Sequence, residues 1–197
     1  MAHNISQYGA AAWLNEALRN VNYTPAASTY MGLLTASSWA ASNAYSAGSY
    51  VIPTTANGRI YKCTTAGTSG STAPAWPTTD GGTVADGTAV WTEQSIAMSA
   101  GTVPEYSGNG YAREAATFAA AAASGKGENC ASSAAISFPV PTAAWPQMVG
   151  WGLWDASTAG NLLWWSCEDV NGNPIQSTPG TLQVTIGSGS LVVSLGL

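Results

Sequence analysis

The residues best equipped for chemistry are few, and their spacing does not assemble them. The single histidine, His3, stands three residues from the start of the sequence. Ser-His-Asp and Cys-His nucleophile arrangements therefore have no well-placed base to draw on. Glu168 and Asp169 are adjacent, and neighbouring side chains on a strand point to opposite faces, so this pair cannot flank one glycosidic bond. Asp80 and Asp86 fall in a Gly-rich stretch, where turn formation accounts for them and a bound calcium is the alternative. "GNGYAR", residues 108–113, has two glycines of a nucleotide loop but lacks the third and precedes a strand pattern. Its glycines suit the positive φ angles of a hairpin turn. Neither a P-loop nor a GxSxG elbow occurs. Cys63, Cys130 and Cys167 are an odd set at wide spacing without a CxxC, which argues against a disulfide framework and against a zinc site. Cys130 and Cys167 pair only if the fold brings them together, and free buried thiols are the other reading. No enzyme, no metal and no cofactor is the expectation.

The aromatic residues carry more information. Trp39, Tyr45, Tyr50, Tyr61, Trp76 and Trp91 crowd into residues 37–99. Sugars present flat C–H faces that stack on exposed rings, so Trp39, Tyr61, Trp76 and Trp91 are candidates for a glycan-binding platform. A module of that size without disulfides also needs such rings for its own core. Trp76, held between Pro74 and Pro77, is the best candidate for exposure. A second cluster, Trp151, Trp154, Trp164 and Trp165, includes residues that alternate between strand faces. One face should be core, and the other is a candidate subunit interface, where Trp is enriched. Arg113 and Glu114 are adjacent charges in an uncharged neighbourhood and read as a solvated strand face, with pairing across a strand or a protomer boundary as the alternative.

Composition sets the surroundings. The 197 residues suffice for one domain with an addition or for two small ones. Only 8% are charged, with five Lys plus Arg against ten Asp plus Glu and a net charge of −5. A surface this neutral and slightly acidic has no basic patch for phosphates, which argues against nucleic acid and against an anionic membrane. No run approaches the apolar length of a membrane span. The opening "MAHNISQYG" lacks the charged and apolar regions of a signal peptide, so assembly in a cytoplasm is expected.

The elements that would position these residues follow from periodicity. In 5–21, Ala10, Trp13, Leu14, Ala17, Leu18 and Val21 share one helical face, and Ser6 is a plausible N-cap. "STYMGLLTA" reads as a buried strand. Within 37–99, Asn57-Gly58 suits a tight turn between two short strands, a Gly- and Pro-rich loop follows, and "TAVWTEQ" closes the segment as a strand. Beyond Gly101 the pattern is β throughout: "NGYAREAATF", "AAISFPV", and a hairpin from Gln147 to Cys167 that turns near Asp155 to Asn161. Leu182, Val184 and Ile186, then Leu191, Val193 and Leu195, alternate around a Gly-Ser turn as an antiparallel pair would. The fold class expected is mainly β: an antiparallel sandwich or jelly-roll-like core with one N-terminal helix. With 37–99 removed, the strand at 29–36 meets a partner strand beginning near Tyr111. The middle segment therefore reads as a small β module inserted into a core made of 1–36 and 100–197.

The spliced core resembles a group of bacteriophage virion proteins labelled tail fibre proteins. The resemblance runs through "YMGLLTA", "EYSGNGYAR", "NCASSAAISFPVPTAAWPQMVGWGLWDASTAGNLLWW" and "PGTLQVTIGSGSLVVSL", about two-thirds of the chain. The segment 37–99 is similar to small aromatic-rich modules of phage host-recognition proteins and, more loosely, to chitin-binding modules. It is carried by "AYSAGSYVIP", "NGRIYKCTTAGTSGSTAPAWP" and "DGTAVWTEQ". The resemblance implies a virion structural protein without catalytic residues, assembled in the host bacterial cytoplasm as a homo-oligomer, a trimer, beside other tail or capsid proteins. It implies a tail fibre or adhesin whose outward module touches host surface glycans. A capsid decoration protein and a free carbohydrate-binding protein are the alternatives.

Overall fold

The computed structural model describes residues 4–125 and 127–195; His3 lies outside them. In chain order the first elements are β1 (Asn4–Ile5), α1 (Gln7–Arg19) and β2 (Thr29–Thr35). The next are β3 (Ser37–Ser38), β4 (Ala44–Tyr45), β5 (Tyr50–Ile52), β6 (Tyr61–Thr65), β7 (Gly67–Thr68), β8 (Thr83–Asp86) and β9 (Ala89–Glu93). A short α2 (Ser95–Ser99) leads to β10 (Glu114–Ala116), β11 (Ala122–Ser124), β12 (Gly127–Ala131) and β13 (Ile136–Ser137). The last are β14 (Met148–Trp154), β15 (Leu162–Ser166), β16 (Thr185–Ile186) and β17 (Val192–Leu195). The protein is mainly β, as expected, with several antiparallel sheets and one N-terminal helix.

The main sheet has the order β1-β15-β14-β2-β10. Its long central strands are apolar on both faces, as strands covered on both sides must be. Met31 and Leu33 of β2, with Trp151 and Leu153 of β14, face one core. Leu34, Val149 and Trp154 face another. On β2 this alternation is the strand period of two; on β14 the register shift between Met148 and Gly150 interrupts it, so that Val149 faces the second core and Trp151, two residues on, the first. The hairpin β14–β15 forms as the sequence suggests: Asp155 closes its turn by accepting from the Asn161 amide at 2.6 Å and the Asn161 side chain at 2.8 Å. The strand at 29–35 does meet its partner across the intervening segment, with Glu114 opposite Met31 and Ala116 opposite Thr29.

A second layer covers the first core. It consists of the three-stranded sheet β11-β12-β17 and the pair β13-β16, and it contributes Ile136, Phe138 and Leu191. Here the sequence expectation is corrected. The alternating stretches 182–186 and 191–195 do not pair with each other; β16 pairs with β13 and β17 with β12. Both are period-2 strands, but their partners come from 127–137, because each needs its apolar face on the shared core.

Residues 37–93 form a sheet of their own, β3-β5-β6-β9-β8, beside the pair β4-β7. The expected strands around Asn57-Gly58 pair as β5 and β6. Chain departure and return lie side by side, since the Thr35 amide donates to the Pro104 carbonyl at 2.9 Å. Ile52, Ile60 and Met98 nevertheless pack into the same apolar cluster as Leu34, Val149, Trp154 and Trp165. The small sheet and the main sheet thus build one core jointly.

Candidate interaction surfaces

The four aromatic residues singled out for glycan stacking gather in the small sheet, but mostly inside it. Trp39, Tyr61 and Trp91 are buried among Val51, Cys63 and Ala89. A sugar cannot stack on a ring that has no free face, so these three make the interior of the sheet rather than a platform. Trp76 is half-buried; its ring lies 4.5 Å from Tyr61 and 5.9 Å from Trp91. The organising group is Asp86, which is itself buried. One carboxylate oxygen accepts from Trp39 Nε1 at 2.7 Å and Trp91 Nε1 at 2.9 Å, and the other from the Gly70 amide at 2.7 Å. Asp80 pairs with Arg59 at 2.8 Å. The two aspartates are therefore held by protein donors at separate places, and among the described residues no acidic, Cys or His cluster fit for a metal occurs. Sequence reasoning missed Asp86 as a core residue, since nothing in a Gly-rich stretch signals a buried carboxylate.

The second tryptophan cluster is likewise mostly interior, although Trp164 also lines an open groove beside α1. Trp151 and Trp164 belong to the core under the second layer, and Trp154 and Trp165 to the core shared with the small sheet. The face expected to meet another subunit is covered by residues 52–98 of the same chain. The three cysteines are unpaired, with Cys63 and Cys167 buried and Cys130 half-buried. Burial first, then the Glu93 and Glu168 carboxylates, push the Cys167 thiol up to about 12, which makes it an inert core group.

Arg113 is not on a solvated strand face. Its guanidinium holds Glu105 through Nε at 2.7 Å and Nη2 at 2.6 Å, and donates from Nη1 to the carbonyls of Ala156 and Ala159 at 3.0 and 2.6 Å. Glu105 also accepts from the Tyr111 hydroxyl at 3.0 Å, and that hydroxyl accepts from the Leu33 amide at 2.9 Å. Burial, with Glu105 next, raises the Tyr111 pKa above its ordinary value. This network joins "EYSGNGYAR" to the β14–β15 turn. A planar, five-donor guanidinium can serve all these acceptors at once, where an ammonium could not.

The surface that stands open is on α1. Ser6 caps the helix by accepting from the Gly9 amide at 3.0 Å. The Ser6 amide and hydroxyl reach back to the Leu163 and Leu162 carbonyls. Gly9 is pressed so closely on β15 that a Cβ there would lie 2.9 Å from the Leu163 carbonyl oxygen. The helix is therefore seated on its Gly9 side, and the apolar face read from the sequence points outward, with Leu14 58% and Leu18 78% exposed; Val21, expected on the same face, lies past the helix end, because the chain turns left-handed at Asn20. Trp13 is partly covered, its ring 5.8 Å from Trp164 in an edge contact.

Beside the helix runs an apolar groove of about 500 Å³, walled by Trp13, Tyr23, Pro25, Phe118, Leu163, Trp164 and Val193 among others. Its charged lining residues are Glu16 and Glu128, and Cys130 also lines it. Such a groove next to a bare apolar helix stripe is the kind of surface that marks a protein interface.

Residues 89–185 match the family described as "Podophage GP4 fiber I protein gp80", a span just under half of the chain. The matched span begins at the first residue of β9 and takes in the main-sheet hairpin. No curated protein matches the chain. The family match supports a phage fibre structural protein, a component of a virion.

Proposed function

We propose, from the family match over 89–185, that this protein is a structural subunit of a phage tail fibre. It works by assembly rather than catalysis, as a homo-oligomer held among other virion proteins. The open α1 stripe and the groove beside it support an assembled state, because isolated soluble proteins seldom leave such surfaces bare. The small sheet of 37–93 is the projecting unit. Any contact it makes with host surface glycans falls to Trp76, since the other three rings are buried.

The deciding experiment is mass spectrometry of purified virions joined to labelling of particles with antibody against the chain. The expected result is copies in small multiples of the fibre number and label at the tail. Label spread over the capsid shell would favour a decoration protein, and absence from the particle would refute the reading altogether. A glycan array probed with the full chain tests the host-contact part separately: retention that W76A abolishes supports it, and no retention leaves a purely architectural subunit.

A further inference from the structure

Two apolar surfaces on this chain lie side by side and neither is covered: the stripe of Leu14 and Leu18 on α1, and the groove that passes beside that helix. The charges next to them are of opposite sign. Arg19, in the last turn of α1, donates only to the Asn15 side chain at 2.9 Å. The other described cations are engaged: Arg59 with Asp80 and Glu93, Arg113 with Glu105, and Lys62 over the Tyr50 ring. Among the described residues Arg19 is thus the cation with neither a carboxylate nor a ring against it. The groove supplies what it lacks, because its charged lining residues are both acids, Glu16 and Glu128.

We propose that the groove receives α1 of a second copy of this chain, Leu14 and Leu18 seated on the apolar walls and Arg19 against the acidic rim. This rests on the reading of the chain as an assembled subunit and names the surface through which it assembles. Stripe and groove are different patches, so the contact is heterologous: each copy gives its helix to one neighbour and takes a helix from the other. Such contacts form a ring when the rotation closes. The arrangement also answers the question of area. A stable contact takes roughly 800 Å² from each partner, more than one helix stripe offers, but groove walls and rim add to it. Every subunit of a ring covers both of its open surfaces.

The test uses the full chain, with mass measured by light scattering or sedimentation over a concentration series. The expected result is an oligomer that L14S/L18S converts to monomer, with association weakened more than tenfold, while circular dichroism stays unchanged because both side chains are exposed. R19E should weaken association about threefold, as one exposed ion pair would, and R19E combined with E128R should restore it. A geometric arm is independent of these. Under mild oxidation L18C should crosslink to Cys130 of a neighbouring copy, identified by peptide mass spectrometry. A wild-type chain that stays monomeric at high micromolar concentration overturns the proposal. So does an oligomer indifferent to L14S/L18S, or an L18C crosslink to L18C of another copy, which would mean a helix-to-helix pair. None of these outcomes depends on finding the protein in a virion, so this inference and the fibre reading fail separately.

Discussion

The guanidinium of Arg113 lies 3.9 Å above the ring of Trp154 while gripping Glu105 with two nitrogens. The Arg113 side chain is 9% exposed and that of Glu105 22%, so removing one partner strands a largely buried charge. R113A should cost about 2 to 4 kcal/mol, at the lower part of the range for broken buried pairs because Glu105 keeps some contact with water. R113K keeps the charge but loses the fork and the stacking, and should recover less than half of the loss. Urea unfolding monitored by tryptophan fluorescence measures both.

The Trp154 ring also lies against two glycines. A Cβ at Gly32 would stand 2.7 Å from Trp154 and 2.8 Å from both Glu105 and the Tyr111 hydroxyl; one at Gly152 would stand 2.6 Å from the Trp154 ring. G32A should therefore lower stability by about 2 kcal/mol through overpacking. The loss should shrink in a Y111F background, where one of the three obstructing atoms is gone. A thermal melt of the two variants and their combination decides the point.

Asp86 joins two indoles and a backbone amide in the small sheet. D86N keeps the shape but places a donor where three donors converge. The expected cost is about 2 kcal/mol, with a change in the near-ultraviolet circular dichroism of Trp39 and Trp91. Because the small sheet shares a core with the main sheet, one cooperative transition should shift as a whole rather than split into two.

Stability should fall on the alkaline side. Below the pKa of an unfolded thiol, near 9.0, Cys167 is neutral in both states and contributes no pH dependence. The folded pKa stands at about 12, so between those values the unfolded chain alone loses its proton and gains. Cys63 and Tyr111, both raised by burial, act in the same direction. Denaturation midpoints should be flat to about pH 8 and decline from about pH 9 upward, less steeply in C167A. At pH 8 a thiol reagent should label Cys130 of the folded monomer, more slowly in the assembled oligomer where the groove it lines is filled, and reach Cys63 and Cys167 only after unfolding.

Most of the main sheet is legible in the sequence because its strands carry their own punctuation. β2 is bounded by Pro25 and a Ser-rich stretch, and the β14–β15 turn carries Asp155, Gly160 and Asn161. Periodicity also located α1 and its cap. It could not tell which side of the helix meets the sheet, because that was decided by Gly9, a residue with no hydrophobic signal, lying against a carbonyl of β15. The partners of β16 and β17 were beyond reach for a related reason: alternation names the buried face of a strand and not its neighbour. The surface roles of the tryptophans could not be read either, since a ring suited to a sugar is equally suited to a core. Arg113 looked solvated because Trp154 and the carbonyls of Ala156 and Ala159, more than forty residues onward, had no visible tie to it.

The chain leaves the main sheet after Thr35 and is back beside that residue at Pro104. Tension applied along a fibre can therefore pass from β2 through its ladder to β14 without stretching the loop of chain in between. Evolution could exchange that loop wholesale, on one condition: each replacement must bring its own greasy underside, standing in for Ile52, Ile60 and Met98, or Trp154 and Trp165 would be left wet.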